Sequence, residues 1–131
     1  MIGWDKSFAM GITQVDEQHK QLFEIIAELH QAMLKRQTNQ VIELTLNKLV
    51  SYTANHFKSE EDMLRRLNYQ DLGRHKLIHD EFTAQIKKYL KQHKEGGFSV
   101  NVELMNTLQK WLVEHIKGTD MKYARDLKLV S

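Results

Sequence analysis

The sequence predicts an all-α protein, an antiparallel up-down-up-down four-helix bundle with an N-terminal arm and a short C-terminal segment. Three observations predict it. Apolar side chains recur at alternating steps of four and three residues through four long stretches, the seam of a helix that buries one face. The connections between those stretches are short, which makes neighbouring helices run antiparallel. No proline interrupts the 131 residues, in agreement with long unbroken helices. With 41% hydrophobic residues, the whole chain, residues 1–131, reads as one domain large enough for a core.

Residues 1–12 hold Trp4, Phe8, Met10 and Ile12 beside Gly3 and Gly11, an irregular arm whose large apolar side chains must lie against the body. Thr13, with Asp16 three residues on, predicts a helix start in which the hydroxyl caps a free N–H and the carboxylate sits in the positive first turn. Helix 1 then runs to about Lys35 on the seam Val15, His19, Leu22, Ile26, Leu29 and Met33. Thr38 and Asn39 are candidate caps for helix 2, which extends to about Leu67. Its seam reads Ile42, Leu46, Leu49, Thr53, His56, Glu60, Met63 and Leu67. Helix 3 follows with Leu72, His75, His79, Phe82, Ile86 and Tyr89 facing inward and ends near Gly96-Gly97, which supply a left-handed stop. Ser99 caps helix 4, whose seam is Leu104, Leu108, Trp111 and His115, and Gly118 closes it. The segment 119–131, with Met121, Tyr123 and Leu127, adds a short helix or an ordered tail.

Composition excludes several functions. Nineteen basic side chains nearly balance seventeen acidic ones, and no Lys/Arg cluster is long enough to argue for nucleic acid or an anionic membrane. No cysteine is present, so disulfides, zinc-finger thiolates and iron–sulfur clusters are impossible. The N-terminus lacks a secretory pattern and no apolar run approaches the ~20 residues of a membrane span. A cytoplasmic monomer is the expectation.

Ionisable residues interrupt the seams at one level only. In the predicted topology the start of helix 1, the end of helix 2, the start of helix 3 and the end of helix 4 share one end of the bundle. His19, His56, Glu60, His75, His79 and His115 occupy those places. The pairs His56/Glu60 and His75/His79 are each spaced i,i+4, so both members project from one helical face. Each buried polar group left unpaired costs about 1–3 kcal/mol, and a pair of metal ions satisfies all of them together. Asp120 is a seventh candidate. Five residues beyond His115, it lies about 140° off that side chain on a regular helix, and Gly118 between them can end the helix and let the carboxylate swing back. Five His and two carboxylates without a thiolate suit iron, with zinc, manganese and copper as weaker options. Seven donors are too many for one ion and natural for two. If both carboxylates and a solvent-derived oxygen bridge, five His divide as three and two, and one position stays open for a small exogenous molecule.

These motifs resemble the hemerythrin family over essentially the whole chain. His56-x3-Glu60, His75-x3-His79 and His115-x4-Asp120 match the family's patterns. Trp4-Asp5, Gly11-Ile12 and Val15-Asp16-Glu17-Gln18-His19-Lys20 resemble the opening of single-domain bacterial hemerythrins. The resemblance implies two non-haem iron ions with an oxo or hydroxo bridge. His75, His79 and His115 would hold one, His19 and His56 the other, and Glu60 and Asp120 would bridge them. It also implies O2 as a ligand at the iron with two His, beneath an apolar pocket lined by Trp111, Leu112 and Ile116, with Phe23, Ile26 and Phe57 nearby. The implied role is an O2 carrier rather than an enzyme, for storage, transport or delivery to an oxygen-consuming enzyme. An O2, redox or NO sensor and a peroxide- or NO-reducing enzyme are the alternatives. Against an enzyme, the Glu-x-x-His pairs of oxidative di-iron proteins are absent from the seams and no proton donor is evident in the pocket. His30 and His93 read as solvent-side or helix-end residues, and Lys87, Lys88 and Lys91 as a solvated face.

Overall fold

The computed structural model describes residues 3–95 and 102–128, all helical or irregular, with no strand among them. A 3-10 turn, Lys6–Phe8, precedes α1 (Thr13–Leu34), α2 (Asn39–Arg66), α3 (Leu72–Lys94) and α4 (Val102–Glu114). A π-turn, His115–Asp120, joins α4 to a last short helix, α5 (Met121–Asp126). Helix α1 packs on α2 and α4, and α2 on α3, the antiparallel four-helix bundle that the seams predict.

The arm is fastened at each of its large side chains. Asp5 accepts from the Ser7 N–H at 2.7 Å, Phe8 is buried with its ring 5.0 Å from Phe23, and Lys20 lies 4.5 Å over the Trp4 ring. Gly11 turns the chain into α1 at a φ of 80° that side chains rarely adopt. The expected Thr13 cap is not made. Ile12 occupies the cap position without a side-chain bond, and Asp16 instead reaches back to the Met10 N–H at 2.8 Å. The carboxylate therefore ties the arm down rather than closing a capping box. Thr38 does cap α2, accepting from the Val41 N–H at 3.3 Å. Helices α1 and α2 end on left-handed residues, Arg36 and Asn68, followed by Gln37 N–H to Ala32 and Tyr69 N–H to Leu64 hydrogen bonds of 3.0 Å each. The expected Gly96-Gly97 stop and Ser99 cap lie outside the described residues.

The seams hold through the middle of each helix and shift near the ends. Leu64 is fully buried where Met63 and Leu67 were expected, and Leu67 is 41% exposed. Leu90 is likewise buried, while Tyr89 is half-buried. A strict four-three alternation drifts by about 20° per heptad on a straight helix, and the extra steps of four, Glu60 to Leu64 and Ile86 to Leu90, restore the phase. His93 is buried rather than solvent-side, its Nε2 3.1 Å from the Asn39 carbonyl at the start of α2. Lys87, Lys88 and Lys91 are exposed. Two apolar clusters result. The larger fills the bundle around Leu29, Leu46, Leu49, Ile86 and Leu108, and the smaller, Met10, Val15, Leu64, Tyr69, Tyr123 and Ala124, closes one end.

Candidate metal centre

Between those apolar clusters lies the polar layer. His19, His56, Glu60, His75, His79, His115 and Asp120 are all buried, none more than 4% exposed. Six of them stand on regular seam positions of α1, α2, α3 and at the end of α4. Asp120 arrives by another route. The chain does not bend at Gly118; it widens into the π-turn His115–Asp120, whose hydrogen bonds run i→i+5 and therefore stack residues five apart as an α-turn stacks those four apart. That places Asp120 over His115, with Oδ1 3.1 Å from His115 Nε2. The expected break at Gly118 is corrected to a local change of helical pitch, and α5 continues from it.

The imidazole Nε2 atoms converge on the two carboxylates. Glu60 Oε1 lies 2.6 Å from His75 Nε2 and 3.1 Å from His79 Nε2, and its Oε2 3.7 Å from His56 Nε2. Asp120 Oδ2 lies 3.1 Å from His19 Nε2, and Oδ1 3.3 Å from His75 Nε2. The His75–Glu60 contact is a hydrogen bond, and distance alone suggests others. Yet both Asp120 oxygens and the Nε2 atoms of His19 and His56 are buried without a hydrogen-bond partner. These atoms are close but are not aimed at one another, the arrangement of donors around a common centre. Two groups of donor atoms lie within 4.8 Å of one another: Glu60, His75, His79, His115 and Asp120, and His19, His56, Glu60 and Asp120. They share Glu60 and Asp120, and the donor set fits metal cations that take imidazole and carboxylate ligands.

The electrostatics of the layer's own side chains point the same way. Burial pulls the His75 imidazole down, but the facing carboxylates of Asp120 and Glu60 raise it to about 9, so it carries a proton at neutral pH. Burial also dominates at His56, which is lowered to about 4. Burial would push the Asp120 carboxyl up, but His115, His19 and His75 hold it well below the usual range. Glu60, raised by burial and by Asp120, is brought below its ordinary value by His75 and His79. Two buried anions thus require cationic charge, and one imidazolium supplies part of it.

Three partners lie beyond the expected set. Tyr123 donates its hydroxyl to Glu60 Oε2 at 3.2 Å, and burial together with the Glu60 and Asp120 charges keeps that phenol protonated far above its ordinary range. Gln18 Oε1 lies 2.6 Å from His56 Nδ1 and Glu61 Oε2 2.8 Å from His79 Nδ1. Gln18 and Glu61 each adjoin a seam donor in sequence, but nothing in that adjacency signals a turn inward. Tyr123, three residues beyond Asp120, shares its helical face, a signal the seam pattern contains. On the apolar side, Leu112 and Ile116 are buried. Trp111, half-buried, stacks between Phe82 at 3.5 Å and His115 at 4.5 Å. Phe57 stacks on His79 at 3.7 Å. A surface cleft of about 170 Å³ is bordered by Tyr69, Arg74, His75, Thr119 and Lys122.

Bundle and donor layer together define a helical cation-binding domain. Residues 10–127 match the family model of the hemerythrin HHE cation binding domain. Bacteriohemerythrin from Stenotrophomonas maltophilia is 30% identical over 98% of this chain and 82% of its own. Myohemerythrin from Theromyzon tessulatum is 36% identical over 92% and 88%, respectively. A crystal structure of wild-type hemerythrin superimposes with a TM-score of 0.90 at 29% identity, covering 97% of this chain and 98% of that one. The chain belongs to the hemerythrin family. Membership makes it a non-haem iron, O2-binding domain in four-helix form. No helix among the described residues is long and apolar enough to cross a membrane.

Proposed function

We propose that His75, His79 and His115 hold one iron ion and His19 and His56 a second. Glu60 and Asp120 bridge the two, with an oxo or hydroxo bridge between them, and the domain binds O2 reversibly. The observation that carries this reading is the sharing of the carboxylates. The same Glu60 and Asp120 close both donor groups, three imidazoles completing one and two the other. When bound, such an iron pair supplies electrons to O2 and takes them back.

The chain's own residues prepare that exchange. Once His75 has given up its proton to a metal, five neutral imidazoles and two carboxylates leave the half with two His short of a donor, the place for a small ligand. Tyr123 holds one Glu60 oxygen through its hydroxyl and so orients the carboxylate plane. Leu112, Ile116 and Trp111, with Phe57, Phe23 and Ile26, form an apolar wall that keeps water and protons from the bound gas, which is what reversal requires. A carrier serving storage, transport or delivery to an oxygen-consuming enzyme, as a cytoplasmic monomer, is the role we assign. Cell fractionation and sizing by light scattering test the location and the oligomeric state.

The decisive experiment counts iron per chain and titrates the reduced protein optically with O2. Two irons, with a visible charge-transfer band that appears under O2 and vanishes under argon, are expected. Passage straight to a stable ferric form would favour redox catalysis, and absence of iron would refute the centre. Replacing Leu112 by alanine is expected to speed autoxidation, and an unchanged rate would remove Leu112 from the pocket wall.

A further inference from the structure

His56 and His79 belong to different donor groups, and each has an acceptor at its outer nitrogen. Those acceptors differ in charge. His56 donates its Nδ1–H to the Gln18 amide oxygen at 2.6 Å. That amide is oriented by its own Nε2–H, which points at the Ser59 hydroxyl at 3.4 Å. His79 donates its Nδ1–H to a Glu61 carboxylate oxygen at 2.8 Å, where the Glu61 side chain is only 13% exposed. The outer nitrogens of His19 and His115 are buried without a partner, so they provide no comparable handle. Both acceptors fix the tautomer, leaving the Nε2 lone pair to face the centre. Only one adds charge.

A hydrogen bond to a carboxylate is roughly twice as strong as one to a neutral amide, and it raises the basicity of the ring as a ligand. A more basic imidazole stabilises the higher oxidation state of its metal. We propose that Gln18 and Glu61 are positioning residues that make the two halves of the centre electronically unequal. Glu61 favours the ferric state in the half with three His, and the neutral Gln18 keeps the half with two His the more readily reduced. This inference rests on the reading that the seven side chains hold two irons.

The test uses two isosteric variants of the full chain, Gln18→Glu and Glu61→Gln, loaded with iron. Thermal melts verify the fold and iron is counted. Potentiometric titration then gives the two one-electron midpoints, and the mixed-valent state is followed by electron paramagnetic resonance. Glu61→Gln is expected to shift the lower midpoint up, and Gln18→Glu the upper midpoint down. Both narrow the gap and reduce the maximal mixed-valent signal, while their mean potentials move in opposite directions. A merely structural role does not produce opposite shifts. Midpoints that stay put, or move the same way in both variants at two irons per chain, would overturn the proposal. Fewer than two irons in the unsubstituted protein would overturn the underlying metal reading instead. As a readout independent of iron, 15N spectra of the metal-free protein should show His56 and His79 protonated at Nδ1, and a bare Nδ1 at either would overturn its assigned contact.

Discussion

Two layers of this bundle occupy the same four seams and obey opposite rules. In the apolar layer, Leu29, Leu46, Ile86 and Leu108 are buried against one another, and each contact is complete when the helices meet. In the polar layer, His19, Glu60, His79 and His115 lie just as deep, yet several of the layer's polar atoms have no hydrogen-bond partner. Position on a helix is thus not what separates them. The apolar layer is satisfied by the fold alone, whereas the polar layer gathers two carboxylates whose charge the imidazoles only partly offset and needs a cation to be complete.

The most forceful way to break this comparison is to delete one residue from each layer. Leu29→Ala should cost about 2–5 kcal/mol and lower the melting temperature of metal-free and iron-loaded protein alike. His79→Ala should instead abolish most of the gain in melting temperature on loading, since a ligand stabilises only the state that binds it, and iron should fall below two per chain. Two irons retained in that variant would remove His79 from the donor set.

Next in size is the response to pH. His56 is lowered to about 4 in the folded chain, so the unfolded chain takes up a proton below 6.5 that the fold refuses. Its contribution to stability is lost as pH falls from 6.5 towards 4. His75, raised to about 9, behaves oppositely. Its contribution is full below 6.5 and lost as pH rises through 9. The melting temperature of the metal-free protein should therefore peak near pH 6.5 and decline on both sides. Because His75 must surrender its proton to bind a metal, loading at pH 7 should acidify a weakly buffered solution. A flat profile and no proton release would show that the layer carries less charge than its geometry indicates.

Smaller effects sharpen the contrast at the ends. His93 is buried but lies outside both donor groups. His93→Ala should leave iron at two per chain and cost about 1 kcal/mol through the lost bond to Asn39, read by chemical denaturation. Smallest of all, Arg36→Gly should stabilise the chain by up to about 1 kcal/mol by relieving a left-handed residue and leave iron binding unchanged.

Legibility follows the same division. The bundle helices and the convergence of six of the seven candidate donors were readable because an i, i+3, i+4 pattern maps directly onto one helical face, and antiparallel packing then brings marked levels together. Asp120 was readable as a candidate but its route was not. A regular helix aims it away, and the π-turn that returns it is a departure from the very periodicity used to read the chain. The Thr13 cap failed because Asp16 found the Met10 N–H, a partner across the arm. His93, read as a solvent-side or helix-end residue, does lie at the end of α3 but is buried there, because burial at a helix end depends on which element lies beside it.

By itself, the sequence determined the four bundle helices, the face each buries through its middle and the level at which polar residues enter the core, since these depend on spacing within one helix. Only the tertiary structure decided the pitch change at His115–Asp120, the bond from Tyr123 to Glu60 and the unequal partners Gln18 and Glu61. Those features depend on atoms that meet across elements, where a difference of a few ångströms, invisible in residue spacing, settles which groups touch.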